Sequence, residues 1–179
     1  MDVAAQVVEF WKEAGPAKWF ARDDAFDAQF RQLFLDEHFA AASRAREHWL
    51  GSAEGALALM LLLDQFPRNC FRGTAHSYAT DGLARHYAMR AIEEGLDLQL
   101  VPKRRAFIYL PFEHSEDPLD QDRSVAMFDV LGDKEYLQYA ELHRDIIRRF
   151  GRFPHRNAVL GRFPTAEELD YLAEGGFAG

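Results

Sequence analysis

The hydrophobic positions of this chain recur with the 3.6-residue period of α-helices, and no segment shows the strict alternation of a half-buried strand. The stretch 53–66 is apolar nearly all round, which is typical of a helix buried at the centre of a fold. The other periodic stretches are amphipathic. The pattern predicts eight helices, at 3–13, 23–42, 53–66, 74–94, 103–112, 119–131, 133–150 and 165–173.

Prolines and glycines predict where these helices end. We expect Pro67 to end the helix 53–66, Gly95 to end its helix in a left-handed conformation, and Pro111 to break its helix near the end. Irregular turns then remain at 67–73, 111–118 and 151–164. The sequence therefore predicts an all-α fold of about eight helices in one domain, residues 1–179, in which long helices stack as hairpins.

The composition is that of an ordinary soluble domain, with 48% hydrophobic and 28% charged residues. Cys70 is the single cysteine, so an internal disulfide and a cysteine-based zinc site are excluded. The longest apolar run, 56–63, is far shorter than the ~20 residues of a membrane span. Since the first residues also lack the pattern of a signal peptide, we expect a cytoplasmic protein without membrane contact. The net charge of −8 argues against nucleic-acid binding.

The segment 143–162 reverses this acidic character, because it holds six arginines and two histidines against one acidic residue, Asp145. Arginine offers a planar, permanently charged fork of donors that matches carboxylate or phosphate. Histidine changes charge near neutral pH or binds a metal. The segment therefore predicts a site for a small anionic ligand. The preceding residues 113–141 contain nine acidic and two basic residues, so pairing between the two segments is the alternative.

The turn at 67–73 follows a carboxylate at the end of the most apolar helix. Asp64 has no polar helix face to lie on, so we expect its side chain to point into the interior. An unpaired buried charge would cost several kcal/mol, so Arg68 or Arg72 is expected to pair with it. Asn69 is a further candidate ligand-binding residue of this turn. A structural ion pair is the alternative to a functional site.

The turn at 111–118 and the helix after it contain His114, Glu116 and Gln121. Histidine and carboxylate side chains are common metal ligands. Their spacing here matches no helical metal motif such as HExxH, and solvated acids around a turn are the alternative. Gln121 is unusual if it faces the core.

The third turn, 151–164, follows a helix whose apolar face carries His143. A satisfied core histidine is the alternative to a catalytic one there. The turn mixes polar donors closely with apolar residues, which indicates side chains turned inward around a semi-buried pocket. Its candidate donors are Arg152, His155, Arg156, Asn157 and Arg162. Arg144 and Arg148 lie off the apolar face and are expected to be surface charges.

Four motifs span most of the chain: LLLDQFPRN at 61–69; RGTA at 72–75 with Thr80-Asp81; YLPFEHSE at 109–116; and FGRFPHRN at 150–157 with LGR at 160–162. They resemble the bacterial "domain of unknown function 924" family, and Phe10-Trp11 and Trp19-Phe20 are similar to its opening. The resemblance implies an all-helical fold similar to the tetratricopeptide-like superfamily. It implies no activity and assigns no catalytic residue.

These observations support three hypotheses. In the first, the protein binds a small anionic ligand and, if it is an enzyme, also acts on that ligand. Its ligand-binding residues are predicted as Arg68, Asn69, Arg72, Gln121, Arg152, Arg156, Asn157 and Arg162. Its catalytic residues are predicted as His114, His143, His155, Asp64 and Glu116. The alternatives are a tetratricopeptide-like module that binds a protein partner and, third, a metal-dependent hydrolase. Neither a cofactor nor a metal ligand is predicted, and enzymatic activity and oligomeric state stay open.

Overall fold

The computed structural model describes residues 2–179, and these residues form helices and connecting turns without a β-strand. The α-helices are α1 (Val3–Ala14), α2 (Pro16–Trp19), α3 (Asp24–Ala42), α4 (Ala53–Met60), α5 (Phe66–Cys70), α6 (Asp81–Glu93), α7 (Pro102–Glu113), α8 (Pro118–Leu131), α9 (Lys134–Phe150) and α10 (Ala166–Ala173). Short 3₁₀ turns lie at Glu47–Gly51, Ala75–Tyr78, Asp97–Gln99 and Pro154–Arg156. The all-helical prediction is confirmed. Within residues 2–179 no helix is both long and apolar enough to cross a bilayer.

Local capping chemistry explains where several of these helices begin and end. The Asp23 side chain accepts hydrogen bonds from the first backbone N–H groups of α3, and Asp133 does the same for α9. Thr165 and Glu168 form a reciprocal capping box at the start of α10. α9 ends at Gly151, which has the left-handed conformation (φ 68°) that glycine adopts without strain. Each of these caps acts within a few residues of the helix end that it stabilises.

The described residues form two compact units. Unit 1 contains the described residues up to Arg72 together with His76–Pro111. α4 is almost wholly buried, and aromatic rings from four other helices of this unit pack against one another. The ring of Trp11 lies 5.5 Å from those of Phe30 and Phe107, and Phe30 lies 4.9 Å from Phe66. The aromatic residues therefore form the core of this unit.

The central helix of unit 1 runs past Pro67 instead of ending there. α4 continues through a π-helical turn, Leu61–Gln65, into α5. In this turn the Phe66 N–H donates to the Leu61 carbonyl five residues back, and not to the carbonyl four residues back. Since Pro67 has no N–H, the next two carbonyls in the chain both lack their ordinary helical donor.

A side chain of α3 and the side chain of the residue before α6 satisfy these two carbonyls. His38 of α3 donates to the Leu62 carbonyl (2.8 Å), and the Thr80 hydroxyl donates to the Leu63 carbonyl (2.5 Å). Buried carbonyls are rarely left without a donor, so these two bonds allow the helix to pass the proline. The prediction that Pro67 ends the helix is therefore wrong.

Two other boundaries differ from the sequence prediction. The stretch predicted as one helix over 74–94 is a 3₁₀ turn followed by α6, which begins at Asp81 because Thr80 before it is not helical (φ −103°, ψ 4°). Pro111 does not break α7, which continues to Glu113. The side chains of Phe112 and Glu113 are buried, and this packing outweighs the backbone bond lost at the proline.

Unit 2 contains Gly73–Ala75 and Phe112–Gly179. α8 and α9 are joined by a short turn and pack against each other as a helical hairpin. A second cluster forms around Ile146, Ile147 and Phe153 at the end of α9, with Phe150, Tyr171 and Phe177 against it. Helical hairpins are compatible with a tetratricopeptide-like architecture. That likeness and the single domain over 1–179 both stay predictions.

Candidate functional site

In unit 1 the carboxylate of Asp64 is paired with an arginine. Asp64 is 1% exposed and lies 3.1 Å from Arg68, one of the two partners that the burial argument expected. Gln65 also donates to it (2.5 Å). Arg68 makes a two-pronged bond to the carboxylate of Asp81 (2.7 and 2.9 Å). Burial alone would lower the pKa of Arg68, but Asp64 and Asp81 hold that pKa above its usual value. The arginine is therefore committed to two carboxylates.

The other predicted residues of this turn bind a carboxylate on α3. Asn69 donates to Asp27 (2.8 Å), and Arg72 donates to its second oxygen (3.0 Å). Asp27 was missed in the sequence, although it stands beside Phe26 on the buried side of an amphipathic helix. A carboxylate at such a position needs a donor partner. The contacts of Asn69 and Arg72 thus fix the turn to α3.

In unit 2 the third turn is held by a second buried carboxylate. Glu168, which is 2% exposed, accepts two bonds from Arg152 (2.6 and 2.8 Å) and one from Asn157 (3.1 Å). It also accepts from the backbone N–H of Thr165 (2.7 Å). Hydrogen bonding by Arg152 is the main cause that lowers the pKa of Glu168 to about 2. Glu168 was missed in the sequence as the partner of Arg152, because it lies 16 residues later in the chain.

Glu116 has the corresponding role beside the second turn. Arg162 donates two bonds to its carboxylate (2.7 and 3.0 Å), and the Phe153 N–H donates a third (2.8 Å). Burial raises the pKa of Glu116, but Arg162 and Phe153 outweigh it and hold that pKa below its usual value. Gln121 is fully buried and donates to two carbonyls of the 111–118 turn, at Glu113 (2.6 Å) and Ser115 (2.7 Å). These contacts give Glu116, Gln121 and Arg162 roles in holding the turns together.

The three predicted histidines of unit 2 lie in one cluster with two phenylalanine rings. His143 is 5% exposed, and its ring lies 4.6 Å from Phe177, 5.4 Å from Phe153 and 6.3 Å from His114. His155 packs against the same two phenylalanine rings, at 5.3 and 5.7 Å. We call these five residues the histidine cluster. Phe177 was missed in the sequence because it follows the last helix without any periodic pattern.

The protonation state of His143 follows from its hydrogen bonds. Its Nδ1 lies 2.8 Å from the Tyr139 carbonyl and 3.4 Å from a carboxylate oxygen of Glu113. A carbonyl only accepts, so Nδ1 carries the proton and Nε2 of the neutral ring carries a lone pair. Across residues 2–179 the structure gives this Nε2 no hydrogen-bond donor. His143 therefore presents an acceptor in a nearly dry environment.

The surroundings of His143 keep its ring neutral. Burial is the largest cause that lowers the pKa of His143 to about 3, and nearby His114, Arg156 and His155 lower it further. Arg156 itself is buried, and its guanidinium stacks 4.4 Å from the centre of the Phe153 ring. The environment therefore disfavours an additional positive charge. A base for proton transfer works best with a pKa near the working pH, so this ring is suited to hydrogen bonding.

The described residues give the metal-dependent alternative no support. Between residues 2 and 179 no three side chains of histidine, cysteine, aspartate or glutamate are grouped so that they could hold a metal ion. Two open surface depressions of about 600 and 480 Å³ contain none of the predicted site residues. The first is lined by the exposed side of α9 and the second by α3. The histidine cluster brings together three of the predicted catalytic residues of unit 2, His114, His143 and His155.

Taken together, fold and contacts define an all-helical protein in which internal carboxylates hold arginine-rich turns. The chain belongs to the family described as "Bacterial protein of unknown function (DUF924)", whose model matches residues 7–176. It is similar to a solved structure of a protein of unknown function from Agrobacterium tumefaciens, with 57% identity, 97% of this chain and 98% of that chain covered, and a TM-score of 0.95. No curated protein matches it. The family prediction is confirmed.

Proposed function

We propose that unit 2 binds a small organic anion that carries a hydroxyl or amide donor, and that the histidine cluster is its binding site. The observation that carries this proposal is the acceptor at Nε2 of His143, which is nearly buried and has no donor among residues 2–179. Among residues 2–179, the side-chain atoms that are buried without a hydrogen-bond partner do not include this Nε2, so solvent still reaches it. A ligand that donates to Nε2 replaces this solvent contact with a hydrogen bond that contributes about 1 kcal/mol, so the site favours a donor.

The charge preference of the site comes from Arg156 and the neighbouring histidines. These groups lower the pKa of His143 after burial has already done so, which means that they raise the local electrostatic potential. A positive potential in a nearly dry site stabilises an anion. Arg156 is buried with its guanidinium stacked 4.4 Å from the centre of the Phe153 ring, so the proposal places the charge of the anion beside Arg156.

We assign ligand binding to the histidine cluster, and we do not assign proton transfer to His143. With a pKa of about 3 the ring is neutral at physiological pH, where it neither donates from Nε2 nor takes up a proton readily. The flat rings of Phe153 and Phe177 supply apolar walls beside the acceptor. Apolar walls with a few placed polar groups are typical of small-molecule sites.

The proposal is tested by titration calorimetry with malate and succinate, two dicarboxylates that differ by one hydroxyl. Malate is expected to bind about tenfold more tightly, which corresponds to one recovered hydrogen bond. His143→Phe keeps a ring but removes the acceptor and should abolish this difference. Arg156→Met should weaken both ligands, and the exposed Arg148→Met serves as the matched control. Equal affinity for malate and succinate in the parent protein, or no binding of either, would overturn the proposal.

A further inference from the structure

The chain after α10 turns back toward the histidine cluster at two glycines. Gly175 has a positive φ of 85°, a conformation that other residues rarely adopt. A Cβ on Gly176 would lie 2.5 Å from the ring of Tyr171, so the backbone passes directly over that ring. We call residues 174–179 the C-terminal strap. Its path depends on glycine at both positions.

The strap places one aromatic side chain on the histidine cluster. The Phe177 ring lies 4.6 Å from the His143 ring and 5.3 Å from the His155 ring, and its own N–H donates to the Tyr171 hydroxyl (2.9 Å). The backbone of Gly179 also lies against the His155 ring, which would be 3.1 Å from an added Cβ. Phe177 is therefore part of what covers His143.

We propose that the C-terminal strap is a removable cover, and that a ligand reaches His143 when Phe177 swings away from it. The identity of this ligand, a small organic anion, rests on the function proposed above. The strap lies at the surface, with Ala178 and Gly179 exposed and Phe177 half-buried, and its contacts beyond Gly176 include ring packing and a hydrogen bond from the Phe177 N–H. Segments with so few buried contacts open at a small fraction of the free energy of global unfolding. The glycines at 175 and 176 supply the hinge.

A cover predicts that His143 becomes reactive when Phe177 is removed. Diethyl pyrocarbonate modifies accessible, neutral imidazoles, and mass spectrometry reports the rate for each histidine of the full chain. Phe177→Ala should raise the rate at His143 roughly tenfold, since the reagent then needs no opening of the strap. Phe163→Ala is the matched control because Phe163 is 93% exposed, and it should leave the rate unchanged.

Two further measurements distinguish exposure of His143 from unfolding of the protein. His38 is fully buried in unit 1 and should stay unreactive in every variant, whereas its reaction would report unfolding. Gly176→Ala retains Phe177 but displaces the strap from Tyr171, so it should raise the His143 rate as well. An unchanged His143 rate in both folded variants would overturn the cover.

A binding experiment on the same variants tests the proposed ligand separately from the cover. If Phe177 is displaced before binding, malate should associate faster with Phe177→Ala than with the parent protein in stopped-flow measurements. Faster modification without malate binding would leave the cover standing and remove the proposed ligand. Fast malate binding with an unchanged modification rate would remove the cover and leave the ligand.

Discussion

Two buried histidines, one in each unit, differ in the hydrogen bonding of their Nε2 atoms. His38 and His143 both donate Nδ1–H to a backbone carbonyl at 2.8 Å, and burial is the main cause that lowers the pKa of each. The Nε2 of His38 accepts from Nε2 of His76 (2.8 Å), whereas the structure gives the Nε2 of His143 no donor among residues 2–179. Both ring nitrogens of His38 are thus hydrogen-bonded within the fold, whereas His143 retains one acceptor for a ligand.

The carbonyls that receive these protons also differ. His38 donates to Leu62, whose carbonyl lost its helical donor at the π-helical turn before Pro67. The Tyr139 carbonyl lies inside the regular helix α9, one turn before His143. In such a helix the backbone N–H four residues later already donates to it. Removing the His38 ring therefore orphans a buried carbonyl, and removing the His143 ring does not.

The largest expected effect separates structural from ligand-binding arginines. Arg152→Met leaves the buried carboxylate of Glu168 without its cation, which should lower the free energy of unfolding by about 3–5 kcal/mol. Urea unfolding followed by circular dichroism measures this change. Malate binding should persist in the folded variant. A loss below about 1 kcal/mol, the range of exposed pairs, would move Arg152 from the structural to the functional group.

The next effect tests the two histidines directly. His38→Phe should lower the free energy of unfolding by roughly 2–4 kcal/mol, since it orphans the Leu62 carbonyl and the N–H of His76. His143→Phe should change it by less than about 1 kcal/mol, because no backbone group loses its only partner. The same urea experiment gives both values. The reverse order of the two losses would contradict the division into a structural and a functional histidine.

Sequence features that act over a few residues predicted the helices better than features that depend on contacts between distant residues. Caps such as Asp133 and Thr165 act within three residues, so they could be read directly. Pro67 misled the prediction because its missing bonds are replaced by His38, 24 residues from Leu62, and by Thr80, 17 residues from Leu63. No periodic pattern carries information of that range.

The same distinction holds for the candidate site. Burial arguments led to the contact between Asp64 and Arg68 because both residues lie one helical turn apart. Glu168, which pairs with Arg152, lies 16 residues after it in α10. Phe177, which packs against His143, lies 34 residues after it in the C-terminal strap. Which arginine pairs with which carboxylate, and which histidine keeps a free acceptor, depends on the tertiary contacts of unit 2.

The central claim is that His143 holds an unprotonated, unpaired Nε2 for a ligand donor, and imidazole ¹⁵N NMR tests it most directly. Between pH 8 and pH 5 His143 should stay neutral with its proton on Nδ1, in keeping with a pKa of about 3. Malate should then shift the Nε2 resonance of His143, succinate should shift it much less, and His38 should respond to neither. A charged His143 at pH 6, a proton on Nε2, or equal responses to the two ligands would contradict the account.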